Sequence, residues 1–379
     1  MSFELSDEHE AFRAVVRGFA EREIAPHAAR WDEEHHFPVD AVHAMGELGL
    51  FGLVFPEEWG GGGGDFASLC VAIEEIGRVD QSMGITLSAG VGLGASPVFR
   101  FGDDEQKRRW LPDLVAGRML GAFGLTEPGG GSDAGATTTR AERDGDDWVI
   151  NGSKAFITNS GTSITSIVTV TARTDAGISN FVIEAGTPGM VIEPPYRKLG
   201  WHASDTHGIV LDDCRVPGAH LLGEPGKGFH NFLSILDDGR IAIAALALGC
   251  ARACLEMSVE YANERIAFDR PIGANQAVAF PLADLAVAVE NAHNLVYKAA
   301  WMKDQGRDIG RAAAIAKLYS TEAAVTATRV ATQVFGGAGF VEETPVARFY
   351  RDAKILEIGE GTSEIQRLVI ARSLGLPVL

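Results

Sequence analysis

Cysteine is scarce. Only Cys70, Cys214, Cys250 and Cys254 occur in 379 residues, which does not make a disulfide framework for a chain this long. Cys250 and Cys254 lie four apart on an apolar helical run, with no His or acid at ligand spacing beside them. They read as packing residues rather than a metal pair, so no metal is expected. Positive charge is also short, with 33 Lys and Arg against 51 Asp and Glu and a net charge of −18. Nucleic acid or an anionic membrane surface would want a basic face, so neither is expected as a partner. An anionic small molecule stays compatible if local Arg, Lys and helix N-termini receive it. No uninterrupted apolar run reaches the length of a bilayer span. The opening Met-Ser-Phe-Glu-Leu-Ser-Asp-Glu is acidic and helix-starting, unlike a basic, then apolar leader. A reducing, cytoplasmic setting is the expectation.

What is present falls into three textures, expected as an N-terminal helical domain (1–120), a middle β-domain (121–225) and a C-terminal four-helix-bundle domain (226–379). In the first, Ser6 can cap a helix whose Phe12, Val15, Val16 and Phe19 share a face. Further helices are expected over 39–48, 66–78, 81–100 and 104–116. The run Gly60–Gly64 follows an apolar stretch, Leu50–Phe55, that could be a strand, the outline of a dinucleotide-binding turn. No alternation of strands and helices follows, so the run is expected to be a flexible loop. Beyond Gly121, Thr, Val and Ile become frequent, with turn pairs at Asp144-Gly145 and Asn151-Gly152. A meander over 137–143, 148–151 and 154–158 is expected, then short strands to 211, forming an antiparallel sandwich or barrel. From Gly228 onward Leu282, Leu285, Val289, Ala292 and Val296 step by three and four, the seam of a bundle helix.

Five segments carry chemistry. Phe123-Gly-Leu-Thr-Glu-Pro-Gly-Gly-Gly-Ser132 closes a strand and opens a glycine loop whose amides and hydroxyls suit a planar heterocycle and a phosphate-bearing chain. Phe156-Ile-Thr158 offers an aromatic and a hydroxyl at a strand end. In Glu264-Arg-Ile-Ala-Phe-Asp-Arg-Pro-Ile272, where Pro271 is expected to stop a long helix, Arg265 and Arg270 suit a pyrophosphate, and Gln276 follows. Gln333-Val-Phe-Gly-Gly-Ala-Gly-Phe340 ends another helix in close-approach glycines. Finally, Arg351–Arg367 reads as a helix broken at Gly359-Glu360-Gly361, with Thr362 and Ser363 capping its restart. One carboxylate would stand between two helical segments.

In this order, and with Lys198-Leu-Gly-Trp-His-Ala-Ser-Asp205 between them, these segments resemble the acyl-CoA dehydrogenase family over the whole chain. The resemblance implies a helical domain, a β-domain and a four-helix bundle, assembled as a homotetramer with FAD at a dimer interface. It implies that Phe123, Leu125, Thr126, Gly131, Ser132, Phe156, Ile157 and Thr158 hold the flavin of their own subunit. Arg265, Phe268, Gln276, Gln333, Val334, Gly336 and Gly337 would reach the FAD of the neighbouring subunit. Thr362 and Glu364 would return to the first flavin. Ser132, Gly361 and the Asp237-Asp238-Gly239-Arg240 turn would contact the acyl-CoA.

By the same resemblance, Glu360 takes the α-proton while a β-hydride passes to flavin, leaving a trans-2-enoyl-CoA. Electrons would go on to an electron-transfer flavoprotein. Such a base must be desolvated so that its pKa rises, and the thioester carbonyl must accept strong hydrogen bonds; the Glu360 amide is one implied donor. Some relatives place the base on the earlier long helix, but the matching position here is Gly239. Gly359 departs from the aromatic residue frequent before the base and opens space beside the thioester; Phe156 stands where Trp is common. Three rival readings remain: a same-fold acyl-CoA oxidase, which is generally longer; a nitroalkane-oxidising relative, which carries Asp at the base; and a flavin-free binding member.

Overall fold

The computed structural model describes residues 5–378, so the opening Met-Ser-Phe-Glu lies outside the described residues. Ser6 opens α1 (Asp7–Phe19) with a capping box: its hydroxyl accepts from the His9 amide at 3.3 Å, and its own amide donates to His9 Nδ1 at 3.2 Å. A π-turn (Ala20–Ile24) leads to α2 (Ala25–Glu34), α3 (Val39–Glu47), α4 (Phe66–Val79), α5 (Gln81–Ala89), α6 (Ser96–Phe101) and α7 (Asp104–Val115). Asp65, Asp80 and Asp103 cap α4, α5 and α7 through their side chains. The single helix expected over 81–100 is interrupted by a second π-turn, Gly90–Ala95.

The stretch Leu50–Phe55 contains a short 3-10 turn rather than a strand. The glycine run after it is pinned instead of flexible. The amides of Gly62, Gly63 and Gly64 donate to the carbonyls of Gly52, Phe55 and Leu53 at 2.9, 2.9 and 2.7 Å. A Cβ at Gly64 would meet the Leu53 oxygen at 2.9 Å, so the close return of the chain is what demands glycine there.

The middle of the chain is one eight-stranded sheet. Its strands are β1 (Leu120–Gly124), β2 (Arg140–Asp144), β3 (Asp147–Thr158), β4 (Thr165–Thr174), β5 (Gly177–Glu184), β6 (Met190–Ile192), β7 (Thr206–Pro217) and β8 (Leu221–Leu222). The order is β6-β7-β3-β2-β4-β5-β8, chiefly antiparallel, with β1 parallel beside β4. Asp144-Gly145 makes the expected hairpin turn between β2 and β3. Asn151-Gly152 does not. β3 runs straight through it, and the register against β7 shifts there as a bulge. Gly152 lets Thr139 approach, since a Cβ would lie 2.5 Å from its hydroxyl oxygen, while the Asn151 side chain pairs with Asp213 across the bulge.

The last third holds α8 (Gly228–Glu264), the hairpin β9 (Ile266–Ala267) and β10 (Arg270–Pro271), then α9 (Gln276–Asp304), α10 (Gly310–Phe335), α11 (Pro345–Ala353) and α12 (Ser363–Ser373). The long helix therefore stops at Glu264, before Pro271 could stop it. Phe268 and Asp269, both with positive φ, form the hairpin tip, as a two-residue I′ turn requires. Against the sequence expectation, α8 and the stretch Gln81–Phe101 are each long and apolar enough to cross a membrane. Of each apolar window, 78% is buried inside the fold, so both serve here as core helices.

α4 packs on α8 in one large core that includes Ile73, Ile76, Leu246, Leu248, Cys250 and Cys254; a smaller core fills the sheet around Ile150, Val168 and Phe181. Two fully buried acids tie the helices together. Glu74 accepts from Arg252 Nε at 2.8 Å and from the Tyr297 hydroxyl at 2.5 Å, while Glu75 takes two bonds from Arg17, each of 2.9 Å. These contacts link α4 to α1, α8 and α9.

Candidate active site

The chain after α11 tightens into a 3-10 turn, and the amides of Ile358 and Gly359 both fall on the Ile355 carbonyl, at 2.9 and 2.8 Å. Glu360 and Gly361 then take left-handed conformations in succession, with φ of 53° and 88°. For glutamate that conformation costs on the order of 1 kcal/mol, so its surroundings must hold it. Three groups do so. The Thr362 hydroxyl accepts from the Ile365 amide at 3.3 Å and caps α12. Buried Gln366 donates Nε2 to the carbonyls of Glu360 (3.1 Å) and Gly361 (2.8 Å). Buried Lys317, from α10, donates Nζ to the Gly361 carbonyl at 2.9 Å.

The Glu360 carboxylate is aimed at α8. A Cβ on Gly239 would lie 2.9 Å from Oε2, so the missing side chain is the space the acid occupies. Oε2 is shielded from solvent and has no hydrogen-bond partner among the described residues. Desolvation pushes the group up to about 7, against the pull of Arg240 and Lys317. A shielded carboxylate that titrates near neutrality has the properties of a general base.

The Asp237–Arg240 segment is not a turn, as expected, but lies inside α8. Its residues are committed to one another and to neighbouring helices. Arg240 donates to Asp237 at 2.6 Å, and Asp238 pairs with Lys303 at 2.7 Å and with Arg100 at 3.3 Å. The Arg240 Nε atom is buried and has no partner among the described residues.

A second group gathers where β1 ends. The Thr126 carbonyl accepts from the Ala155 amide at 2.8 Å, which lays Leu125 and Thr126 beside the end of β3. There Phe156 has φ +60°, is 64% exposed, and sets its ring 5.0 Å from the ring of Tyr196. Ile157 turns into the sheet core, and Thr158 is half-buried. Phe123 packs inward, 4.8 Å from Phe232, while Gly131 and Ser132 are exposed. The loop is anchored from below by Glu127, which accepts from Lys154 Nζ (2.8 Å), both Thr138 donors (2.7 and 2.5 Å) and the Thr139 amide (3.0 Å). These bonds hold its carboxyl at about 2 against the opposing effect of burial.

Arg265, Val334, Gly336 and Gly337 come together around a cavity of about 400 Å³, with Tyr261 stacked on Phe335 at 4.2 Å beside them. A Cβ on Gly336 or Gly337 would meet nothing within 4 Å. Phe268 is 93% exposed at the hairpin tip, and Gln276, Gln333 and Glu364 are exposed and outside this lining, although Gln333 directly precedes Val334 in the last turn of α10. The segment Lys198–Asp205 docks on α11, where the Trp201 amide donates to fully buried Asp352 at 2.6 Å.

These residues fit FAD: an exposed ring beside free hydroxyl and glycine positions suits an isoalloxazine, and an open glycine cradle beside Arg265 suits a pyrophosphate. The motifs had brought Glu360, Thr126 and Phe156 into view. They had missed Lys317, Tyr196 and the Glu127–Lys154 anchor. For Lys317 a signal existed, because Ala313, Lys317, Ser320, Ala324, Ala327 and Ala331 step by three and four along one buried seam.

The chain matches the acyl-CoA dehydrogenase N-terminal domain over residues 6–118, the middle domain over 122–214 and the C-terminal domain over 226–375. It is 51% identical to a probable acyl-CoA dehydrogenase, YngJ, of Bacillus subtilis, across 99% of this chain and 100% of that one. It is 46% identical to the mitochondrial short-chain specific acyl-CoA dehydrogenase of Rattus norvegicus, across 98% and 91%. The solved butyryl-CoA dehydrogenase of Megasphaera elsdenii superposes with a TM-score of 0.96 at 42% identity, covering 99% and 100%. The chain belongs to the acyl-CoA dehydrogenase family of FAD-dependent enzymes.

Proposed function

We propose that the enzyme oxidises a short-chain saturated acyl-CoA to the trans-2-enoyl-CoA, with Glu360 as the base. The observation that carries this is the shielded Oε2 atom facing Gly239, unpartnered among the described residues, where burial pushes the carboxyl up to about 7. In this reading Glu360 removes the proton α to the thioester carbonyl and is left as the neutral acid. The Glu360 amide donates to that carbonyl, stabilising the charge that develops there. FAD, when bound, accepts the hydride leaving the β-carbon. Leu125, Thr126, Phe156 and Thr158 would orient the ring of their own subunit, with Phe123, Gly131, Ser132, Thr362 and Glu364 around them. Arg265, Phe268, Gln276, Gln333, Val334, Gly336 and Gly337 would serve the adjoining subunit's cofactor.

Short chains are favoured because the short-chain and butyryl-CoA relatives align end to end with this chain. At Gly359, beside the proposed base, a Cβ would make an ordinary contact with the Ile355 carbonyl oxygen at 3.6 Å, so the site does not itself demand glycine. The reading extends to domain divisions near residues 120 and 225, a homotetramer, a cytoplasmic place in fatty-acid β-oxidation and an electron-transfer flavoprotein as acceptor. The test is the visible spectrum of the yellow protein under anaerobic titration with acyl-CoA thioesters of increasing length. Bleaching that is strongest with a four-carbon chain and abolished in a flavin-replete Glu360→Gln variant is expected. Bleaching that survives Glu360→Gln would remove the base assignment, and rapid reoxidation by oxygen alone would favour an oxidase.

A further inference from the structure

Lys317 is an anomaly in the fold: a cation with no exposed surface, on an alanine-rich seam of α10. Buried ammonium groups are expensive unless satisfied. Among the described residues, the one hydrogen bond of its ammonium runs to the Gly361 carbonyl, at 2.9 Å, one residue beyond the candidate base. That same oxygen also accepts from Gln366 at 2.8 Å, so two buried donors converge on one carbonyl of a left-handed corner.

We propose that Lys317 is a positioning residue for the reaction: it locks the Glu360-Gly361 corner through the Gly361 carbonyl and keeps a cation beside the Glu360 carboxylate. The inference rests on the assignment of Glu360 as base. The charged groups facing Glu360 are Arg240 from α8 and Lys317 from α10. Those facing Lys317 are Glu360, Glu357 from the preceding 3-10 turn, Arg240, and Glu322 on its own helix. Burial draws the ammonium down to about 8, against the pull of Glu360 and Glu357, and pushes the Glu360 carboxyl up. A neighbouring cation favours the carboxylate form, and its removal must raise the pH at which the base becomes available.

The test compares kcat/KM against pH for the wild-type holoenzyme, Lys317→Met and Lys317→Arg, with Glu360→Gln run in parallel. In Lys317→Met the acid limb should move up by about one pH unit, a roughly tenfold loss of kcat/KM below the limb with a smaller loss above it. Lys317→Arg should restore the position of the limb. The bound flavin absorbance and the far-ultraviolet dichroism show whether each variant has folded. A folded Lys317→Met whose limb overlays that of the wild type overturns the inference. If Lys317→Met does not fold, Lys317→Arg decides: a limb within a few tenths of a unit of the wild type is expected, and a displaced limb overturns the inference. Activity retained by Glu360→Gln would instead fault the base assignment, which separates the two failures.

Discussion

At the scale of single residues, Gly239 and Glu360 share one volume. The carboxylate reaches across from the corner before α12 and stops where α8 has no side chain. Alanine at 239 would favour the helix by up to about 1 kcal/mol while pushing on Oε2. Gly239→Ala should therefore keep or slightly raise the thermal midpoint and lower kcat by about tenfold or more, because small misplacements of a reacting group are costly. Unchanged kcat beside unchanged stability would mean that the acid has room to swing aside. Glu360 was legible because Gly-Glu-Gly is rare punctuation in a helical run. Lys317 was not, although it lies on the seam: α10 places it 43 residues before Glu360, and only packing brings the two segments together.

At the scale of elements, the loop after β1 depends on the ion pair beneath it. Glu127 and Lys154 are both buried, and each would be left with a lone charge if the other were removed. Glu127→Gln should destabilise the sheet by about 3–5 kcal/mol and weaken FAD binding, read by denaturant unfolding and by flavin retained on dilution. The pH dependence has a definite sense. The folded-state value of Glu127 lies below its ordinary value of 4.5, so its stabilisation is complete above that pH and lost as pH falls toward about 2. The variant should lack this part of the acid sensitivity. The strands here were only partly readable. Asp144-Gly145 and Asn151-Gly152 are equivalent as turn signals, yet only the first turns the chain. What separates them is tertiary: β3 pairs with β7 on both sides of residue 152, and Thr139 crowds the glycine.

At the scale of the molecule, the helices at the two ends of the chain form one core rather than two. The buried acids of α4 are where the ends meet. Tyr297→Phe would remove the hydroxyl that donates to Glu74 at 2.5 Å and accepts from Arg13 at 3.2 Å. A loss of about 1–3 kcal/mol is expected, because the buried carboxylate oxygen loses its hydroxyl donor and is left with the Arg13 guanidinium 3.5 Å away. Calorimetry should show it as a lower midpoint of the main transition, with the flavin spectrum unchanged; a separate early transition would mean that the ends unfold independently. The three textures of the chain were visible from periodicity and turn pairs alone. The joining of α4 to α8 was not, since residue pairs such as Gly77 and Leu246 lie far apart in sequence and meet only in the fold.

Phe156, Phe268 and Glu360 share a property beyond the roles proposed for them. Each holds a positive φ that glycine would accept without strain. A search for heat-resistant variants that relaxed such backbones would be drawn to these three positions, each offering on the order of 1 kcal/mol. It would strip away two aromatic rings and a carboxylate in doing so. With the proposed roles, the backbone here sets aside durability for chemistry, and the easiest routes to a tougher protein lead away from a working one.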